Sequence, residues 1–451
     1  MRSLTLIVLA LFLSACSSIK NTYSEPAQPE QWLGTDSDTA IEQVDAENLK
    51  QWWLRFEDPA LSELVNKLLQ NNPNRNIALA RIAEARGVRR STRSALFPQL
   101  DFNANGSRED FGFVGPDEFF DARFDASFEL DVFKRNQKNL DAADAQLLAL
   151  ENDYHDTTLS LIAEVTRTYI DYRGFEKQAA IAEKNLQLQN KTLSLIQNQK
   201  NLGEAPQLDV DRAENLVNTI KASIPEFKRS ANNAKLALSV LTGELPQQLD
   251  ALLSNQADIP GSDVTPVLLA PSKVLTLRPD IQAASATLAA NTSLLESTTT
   301  ELLPTFTLSG FFGASEGAFS SATSIWNLAI GTAVNLIDFG RIEGRIDAAQ
   351  AREKIAYEQY RLTILEAVTE VETALNDYAR INEQRVSLQK AYENADSALS
   401  LSETLYREGE VSFLDVLDAQ RTVNEADASL VDSEIALAES LTRLYKSLGT
   451  Y

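Results

Sequence analysis

Asp415 and Asp418 are the pair of side chains in this chain with the clearest chemical potential. They sit in the stretch Tyr406–Arg421, which reads YREGEVSFLDVLDAQR and also holds Leu414. Three residues apart on a helix, two carboxylates share one face. Such a pair does general acid–base work only inside a desolvated pocket, and the residues around it mark none. The plainer roles are electrostatic: acids in a first helical turn, favoured by the helix dipole. Other catalytic types are scarce. His155 is the single histidine, in a polar helical stretch, and Cys16 is the single cysteine. Disulfide and CxxC chemistry within one chain are therefore excluded. No phosphate loop or zinc spacing occurs. The only methionine is Met1, so the rest of the chain has no thioether site for copper. These residues point away from an enzyme, a metal centre or a bound cofactor.

The elements that position the acids are a helix stop, a turn and a helix restart. Gly409 is the stop, Ser412 the N-cap, and Asp415 completes a capping-box spacing. A second copy of this tip runs from Lys200 to Arg212 as KNLGEAPQLDVDR, with Gly203 as the stop and Pro206 at a tolerated first-turn position. Gly203 matches Gly409, Leu208 matches Leu414 and Asp209 matches Asp415, all at an offset of 206. The copies then diverge: Asp211 and Arg212 stand where Leu417 and Asp418 do.

That offset holds across two whole repeats, 73–243 and 279–449, from Pro73 against Pro279 to Gly243 against Gly449. Each reads as helix, two strands, long helix, tip and shorter helix. Residues 244–278 form a proline-containing linker between them, and 51–72 a preceding helix, with Trp52–Gln70 as its amphipathic part. The strands fall at about 98–130 and 304–337 and alternate with period two. In one, Phe120, Ala122, Phe124, Ala126, Phe128 and Leu130 oppose Asp121, Arg123, Asp125, Ser127 and Glu129. In another, Trp326, Leu328, Ile330, Val334 and Leu336 share a face. Phe306, Leu308 and Phe312 do so in a third, where Phe311 breaks the polar side. This is the dyad pattern of a membrane barrel, apolar to lipid and polar to lumen. The smallest such barrels need about eight strands, so four strands per chain demand an oligomer. Strand arithmetic leaves dimer and trimer open.

The helices Phe133–Asn201 and Phe339–Glu408 contain no proline. At about 1.5 Å per residue each spans on the order of 100 Å. After each tip the apolar residues step by seven: Val210, Val217, Ile224, Ala231 and Leu238, then Val416, Val423, Leu430, Leu437 and Leu444. That spacing predicts coiled-coil packing. Pro225 interrupts only the first of the two helices and predicts a kink there.

The chain begins with Arg2 and the apolar run LTLIVLALFLSA, too short to span a bilayer and laid out as a signal peptide over 1–15. A polar tether over 16–50 follows. The net charge of -23 argues against a nucleic-acid partner.

LSAC at 13–16 resembles a bacterial lipobox, with Cys16 as the lipidated residue and Ser17 after it. LRPDIQAA at 277–284, LLPTFTLSG at 302–310, IDFGRIEGRI at 337–346 and LDVLDAQR at 414–421 extend the resemblance over nearly the whole mature chain. Together they resemble the TolC-like outer membrane factors, in particular the lipidated NodT-type channels of resistance-nodulation-division efflux pumps. The resemblance implies a mainly α fold with a transmembrane β-barrel. In it a homotrimer joins a 12-stranded barrel to a 12-helix periplasmic tunnel, through an equatorial region that takes in 51–72 and 244–278. It implies an outer-membrane location, a lipid anchor on the periplasmic side, and two partners: a periplasmic adaptor and an inner-membrane transporter. It also implies a gate at the tip built from Tyr406, Leu414, Asp415, Asp418 and Arg421. The first tip (Gly203, Asp209, Asp211, Arg212) departs from the gate pattern and is expected to line the entrance. The expected function is passive export of small toxic compounds. The alternatives are a duct for secreted protein or peptide and, in a different class, a coiled-coil structural lipoprotein of the periplasm without a barrel.

Overall fold

The computed structural model describes residues 29–33, 42–110, 112, 116–255, 257–261, 264–317 and 320–451. The signal peptide, Cys16 and most of the tether lie outside the described residues. Among the described residues, a short strand β1 (Glu42–Gln43) and a helix α1 (Pro59–Asn71) precede the repeats. The first repeat follows as α2 (Pro73–Ser94), β2 (Gln99–Asp110), β3 (Pro116–Leu130), α3 (Arg135–Asn201) and α4 (Gln207–Thr242). Strand β4 (Val267–Leu268), parallel to β1, and helix α5 (Pro271–Leu277) lie between the repeats. The second repeat is α6 (Pro279–Thr299), β5 (Thr305–Gly317), β6 (Ser320–Ala333), α7 (Arg341–Glu408) and α8 (Phe413–Ser447). The starts of α2 and α6, β2 and β5, α3 and α7, and α4 and α8 each differ by the 206 residues seen in the sequence.

Some expected boundaries move, for local reasons. The helix expected over Trp52–Gln70 divides into a 3-10 segment, Trp52–Phe56, and α1. Glu57 turns left-handed at φ 53, and the Asp58 carboxylate then caps a new helix by accepting the Leu61 N–H at 2.9 Å. Proline at the first helical position has no N–H to leave unpaired. Strand β6 ends at Ala333, so Val334 and Leu336 follow the strand instead of closing it. Pro206 is the N-cap of α4, one position before the helix. Helix α4 continues through Pro225, whose counterpart in α8, Val431, is buried.

The chain divides into two compact units. One comprises Arg81–Glu151 and Ala283–Thr363 and carries the sheet β2-β3-β5-β6, antiparallel throughout. The pairing register carries the alternation across strands. Phe102 pairs with Phe124, Phe124 with Phe312, and Phe312 with Trp326. This row of four aromatic residues is more than half exposed at every position. Asp101, Asp125, Phe311 and Asn327 form the neighbouring row on the opposite face. Among the described residues, one face of the sheet is thus apolar and uncovered, and no strand lies on the outer edges of β2 and β6. Among the described residues no helix is long and apolar enough to cross a membrane.

The other unit comprises Gln28–Ala80, Asn152–Gln282 and Ile364–Tyr451. Trp52, Trp53, Phe56 and Tyr445 centre its main core, with Trp52 and Tyr445 ring centroids 5.7 Å apart. The seven-residue seam is real: Val210, Val217, Ala231 and Leu238 are buried in α4, as are Val416, Leu430, Leu437 and Leu444 in α8. The repeats also end alike. Gly243 and Gly449 are left-handed, at φ 68 and 76. A Cβ would bring the first within 2.7 Å of the Asn71 carbonyl and the second within 2.5 Å of Arg278 Cγ. Before each leading proline, a side chain donates to the last turn of its repeat. Asn72 Nδ2 donates to the Leu241 carbonyl at 2.7 Å, and Arg278 Nη1 to the Ser447 carbonyl at 2.8 Å.

Candidate functional site: the paired helix-hairpin tips

The two tips stop their helices in the same way. Gly203 and Gly409 both lie at φ 82. Each closes a Schellman motif. Glu204 N donates to Gln199 O and Gly203 N to Lys200 O, just as Glu410 N donates to Leu405 O and Gly409 N to Tyr406 O. The restarts differ. Ser412 caps α8, and the Asp415 carboxylate receives its N–H at 2.8 Å and its hydroxyl at 2.6 Å. Those two donors hold the Asp415 carboxyl below the usual aspartate range. At the first tip Pro206 caps without a side-chain hydrogen bond.

A small apolar cluster joins the tips: Ile196, Val210 and Ala213 with Phe413, Val416 and Leu417. Tyr406 lies against it, 5.8 Å from the Phe413 ring, and its hydroxyl donates to Gln199 Oε1 at 2.7 Å. Burial raises the Tyr406 pKa, the Gln199 hydrogen bond opposes that shift, and the Asp209 charge adds to it. Tyr406 thus fastens the second tip to the first within one chain. Gln199 was not legible as its partner, because the repeat counterpart of Gln199 is Leu405 and neither belongs to a motif.

Arg421 reaches Glu425 at 3.7 Å, with both side chains well over half exposed. This i,i+4 pair carries little energetic weight at the surface. At the first tip Arg212 pairs with Asp209 at 3.5 Å, and Gln207 donates to Asp211 at 2.7 Å. Leu414 is half exposed. Asp211, Arg212, Leu414, Leu417, Asp418 and Arg421 line one groove of about 480 Å³ between α4 and α8. The two tips therefore present alternating acids and arginines to a common space. His155 is elsewhere, its Nδ1 2.5 Å from the Tyr451 hydroxyl, and has no carboxylate partner in that contact.

The model of the outer membrane efflux protein family matches residues 64–244 and again 270–450, two segments displaced by the same 206 residues. The chain belongs to the outer membrane efflux protein family. It is 30% identical to the pyoverdine export outer membrane protein OpmQ of Pseudomonas aeruginosa, over 100% of this chain and 97% of that protein. It is 28% identical to the toluene efflux pump outer membrane protein TtgF of Pseudomonas putida, over 98% and 95%. Among solved structures, the outer-membrane channel OprN superposes with a TM-score of 0.88 at 29% identity, covering 95% of this chain and 98% of OprN. The efflux protein fold is that of the TolC-like channels, mainly helical with a strand sheet, and the family is one of outer-membrane channels and not of enzymes. The efflux protein serves as the outer-membrane component of an export system.

Proposed function

We propose that three copies of this chain form a passive duct through which small toxic compounds leave the periplasm, with the tips as its periplasmic gate. The observation that carries this reading is the four-stranded sheet, open at β2 and β6, with an aromatic face that none of the described residues covers. Such edges and such a face are stable only when neighbouring strands and lipid meet them. Three chains supply the twelve strands of the family's barrel. Cys16 carries the lipid that anchors each chain to the outer membrane from the periplasmic side. The partners are a periplasmic adaptor and an inner-membrane transporter of the resistance-nodulation-division type, which supplies the energy. Pyoverdine and toluene, named in the relatives, support a small-molecule cargo over a secreted protein.

Closed tips bring three copies of Asp415 and Asp418 together as rings of like charge. Within its own chain Arg421 is held only weakly, by exposed Glu425, and so is available to a neighbouring Asp418. Adaptor binding breaks this latch. Planar-bilayer recordings of the purified full-length protein test both halves of the proposal. The expected result is a small wild-type conductance and one several-fold larger for Asp418→Ala. Equal conductances overturn the latch, and no conductance in either protein overturns the duct.

A further inference from the structure

The polar face of the sheet carries a feature that the gate does not use. Its charges all come from the first hairpin: Asp101, Asp121, Asp125 and Glu129 are acidic, and Arg123 is the only cation among its described residues on β2 and β3. Gln99, Asn103, Asn105, Ser107, Ser127 and one aromatic residue, Phe119, share that side. The second hairpin contributes neutral residues there, including Thr307, Ser309, Phe311, Gly313 and Asn327. Arg123 is fixed in place. Its guanidinium lies 5.4 Å from the centre of the Phe311 ring, a cation–π distance. Its Nε donates to Asp125 Oδ2 at 3.1 Å, and Asn103 Nδ2 donates to the same oxygen at 2.8 Å. Directly across from Arg123 is Gly313. A Cβ on Gly313 would fall 2.5 Å from Arg123 Cβ and 2.6 Å from Arg123 Cα. The sheet therefore leaves out a side chain where Arg123 stands and places an aromatic ring beneath its charge. This arrangement gives Phe311 a partner on the polar side of its strand.

We infer that Arg123, seated on Phe311 and opposite Gly313, is a selectivity-determining residue of the pore inside the β-barrel. This rests on the proposed closure of three sheets with their polar faces inward. Three such guanidiniums then form a positive belt within an acidic lumen. A partly desolvated ring of fixed charge attracts counter-ions and repels co-ions. Asp125 neutralises part of this charge, and the exposed remainder, 39% of the Arg123 side chain, faces the solute path. The belt lowers the cation preference that the acids impose and gives anionic solutes a foothold on the exit path.

The test is the reversal potential of the full-length protein in planar bilayers under a KCl gradient. Arg123→Gln is expected to raise the K⁺-to-Cl⁻ permeability ratio by about threefold, since it removes a ring of fixed positive charge from the pore. Arg123→Lys, which keeps the charge without the planar stack, should stay near wild type and separates charge from a merely structural role. Phe311→Ala, which frees the guanidinium to swing, should fall between Arg123→Gln and wild type. An unchanged ratio in Arg123→Gln with conductance intact overturns this inference and leaves the duct standing. Loss of conductance in all the proteins, wild type included, strikes the duct itself. Should Arg123→Gln alone fail to insert, the Phe311→Ala ratio decides, and a value equal to wild type overturns the assignment.

Discussion

In the first repeat the residue ahead of the leading proline is Asn72, and in the second it is Arg278. Both side chains donate to a backbone carbonyl in the last turn of their own repeat. Asn72 does little more, also accepting the Arg75 N–H at 3.0 Å. Arg278 additionally holds Asp280 at 2.7 Å and Glu370 at 2.8 Å, and Lys446 meets Glu370 from the other side at 3.1 Å. Burial alone would raise the Glu370 pKa, but Arg278 and Lys446 outweigh it and hold the carboxylate below its ordinary range. The same division runs through the molecule. Tips stop with the same glycine geometry yet restart with different caps, and the hairpins share a register yet differ in charge. Duplication preserved backbone geometry, which glycine and proline specify, while the side chains that meet solvent and solute went separate ways.

The junctions offer the largest test of this contrast. Arg278→Ala leaves two carboxylates short of their shared partner and is expected to cost about 3 kcal/mol. Asn72→Ala, which removes a neutral hydrogen bond, should cost about 1–2 kcal/mol. Thermal unfolding of the two variants in detergent measures the difference, and equal shifts would erase it. The tip glycines make the opposite prediction. No heavy atom lies within 4 Å of a Cβ built on Gly203 or Gly409, so Gly203→Ala and Gly409→Ala carry only the left-handed backbone penalty. Each should lose about 1 kcal/mol, the same in both repeats. A clearly larger loss at Gly409 would mean that its neighbourhood in the assembly is crowded.

The smallest effect is a pH dependence confined to the second tip. The Asp415 pKa is depressed from 3.8 by its bonds to Ser412, so the stabilisation is fully present above that value. It is lost as pH falls through the lower folded value. The protection of the Ser412 amide against hydrogen exchange, taken relative to the intrinsic rate at each pH, should therefore fall on acidification through that window. Asp415→Asn should abolish the dependence, and residues around Pro206, which has no carboxylate cap, should lack it.

Much of this was legible in the sequence because it is periodic. A 206-residue offset, a seven-residue seam and two-residue alternation each repeat often enough to survive local noise. The capping box at Ser412 and Asp415 was readable because its partners are three residues apart. The rest was hidden where partners are distant in the chain. Nothing near Tyr406 points to Gln199, 207 positions away, and nothing near Arg278 announces Glu370, 92 positions away. Phe311 was visible only as an exception, and its partner lies across the sheet in Arg123. The helix expected over Trp52–Gln70 failed for another reason: Asp58-Pro59 is itself a start signal, and it outweighs the amphipathic pattern that runs across it.

Pro225 has a mechanical consequence. A proline within a helix removes one rung of the hydrogen-bond ladder and crowds the carbonyl four residues back. Helix α4 has that interruption, whereas α8 has buried Val431 at the matching position. The two hairpins are thus levers of unequal stiffness. Force delivered equally to both tips does not bend them equally: the first yields near Pro225, and the second passes the load along α8 to its buried seam.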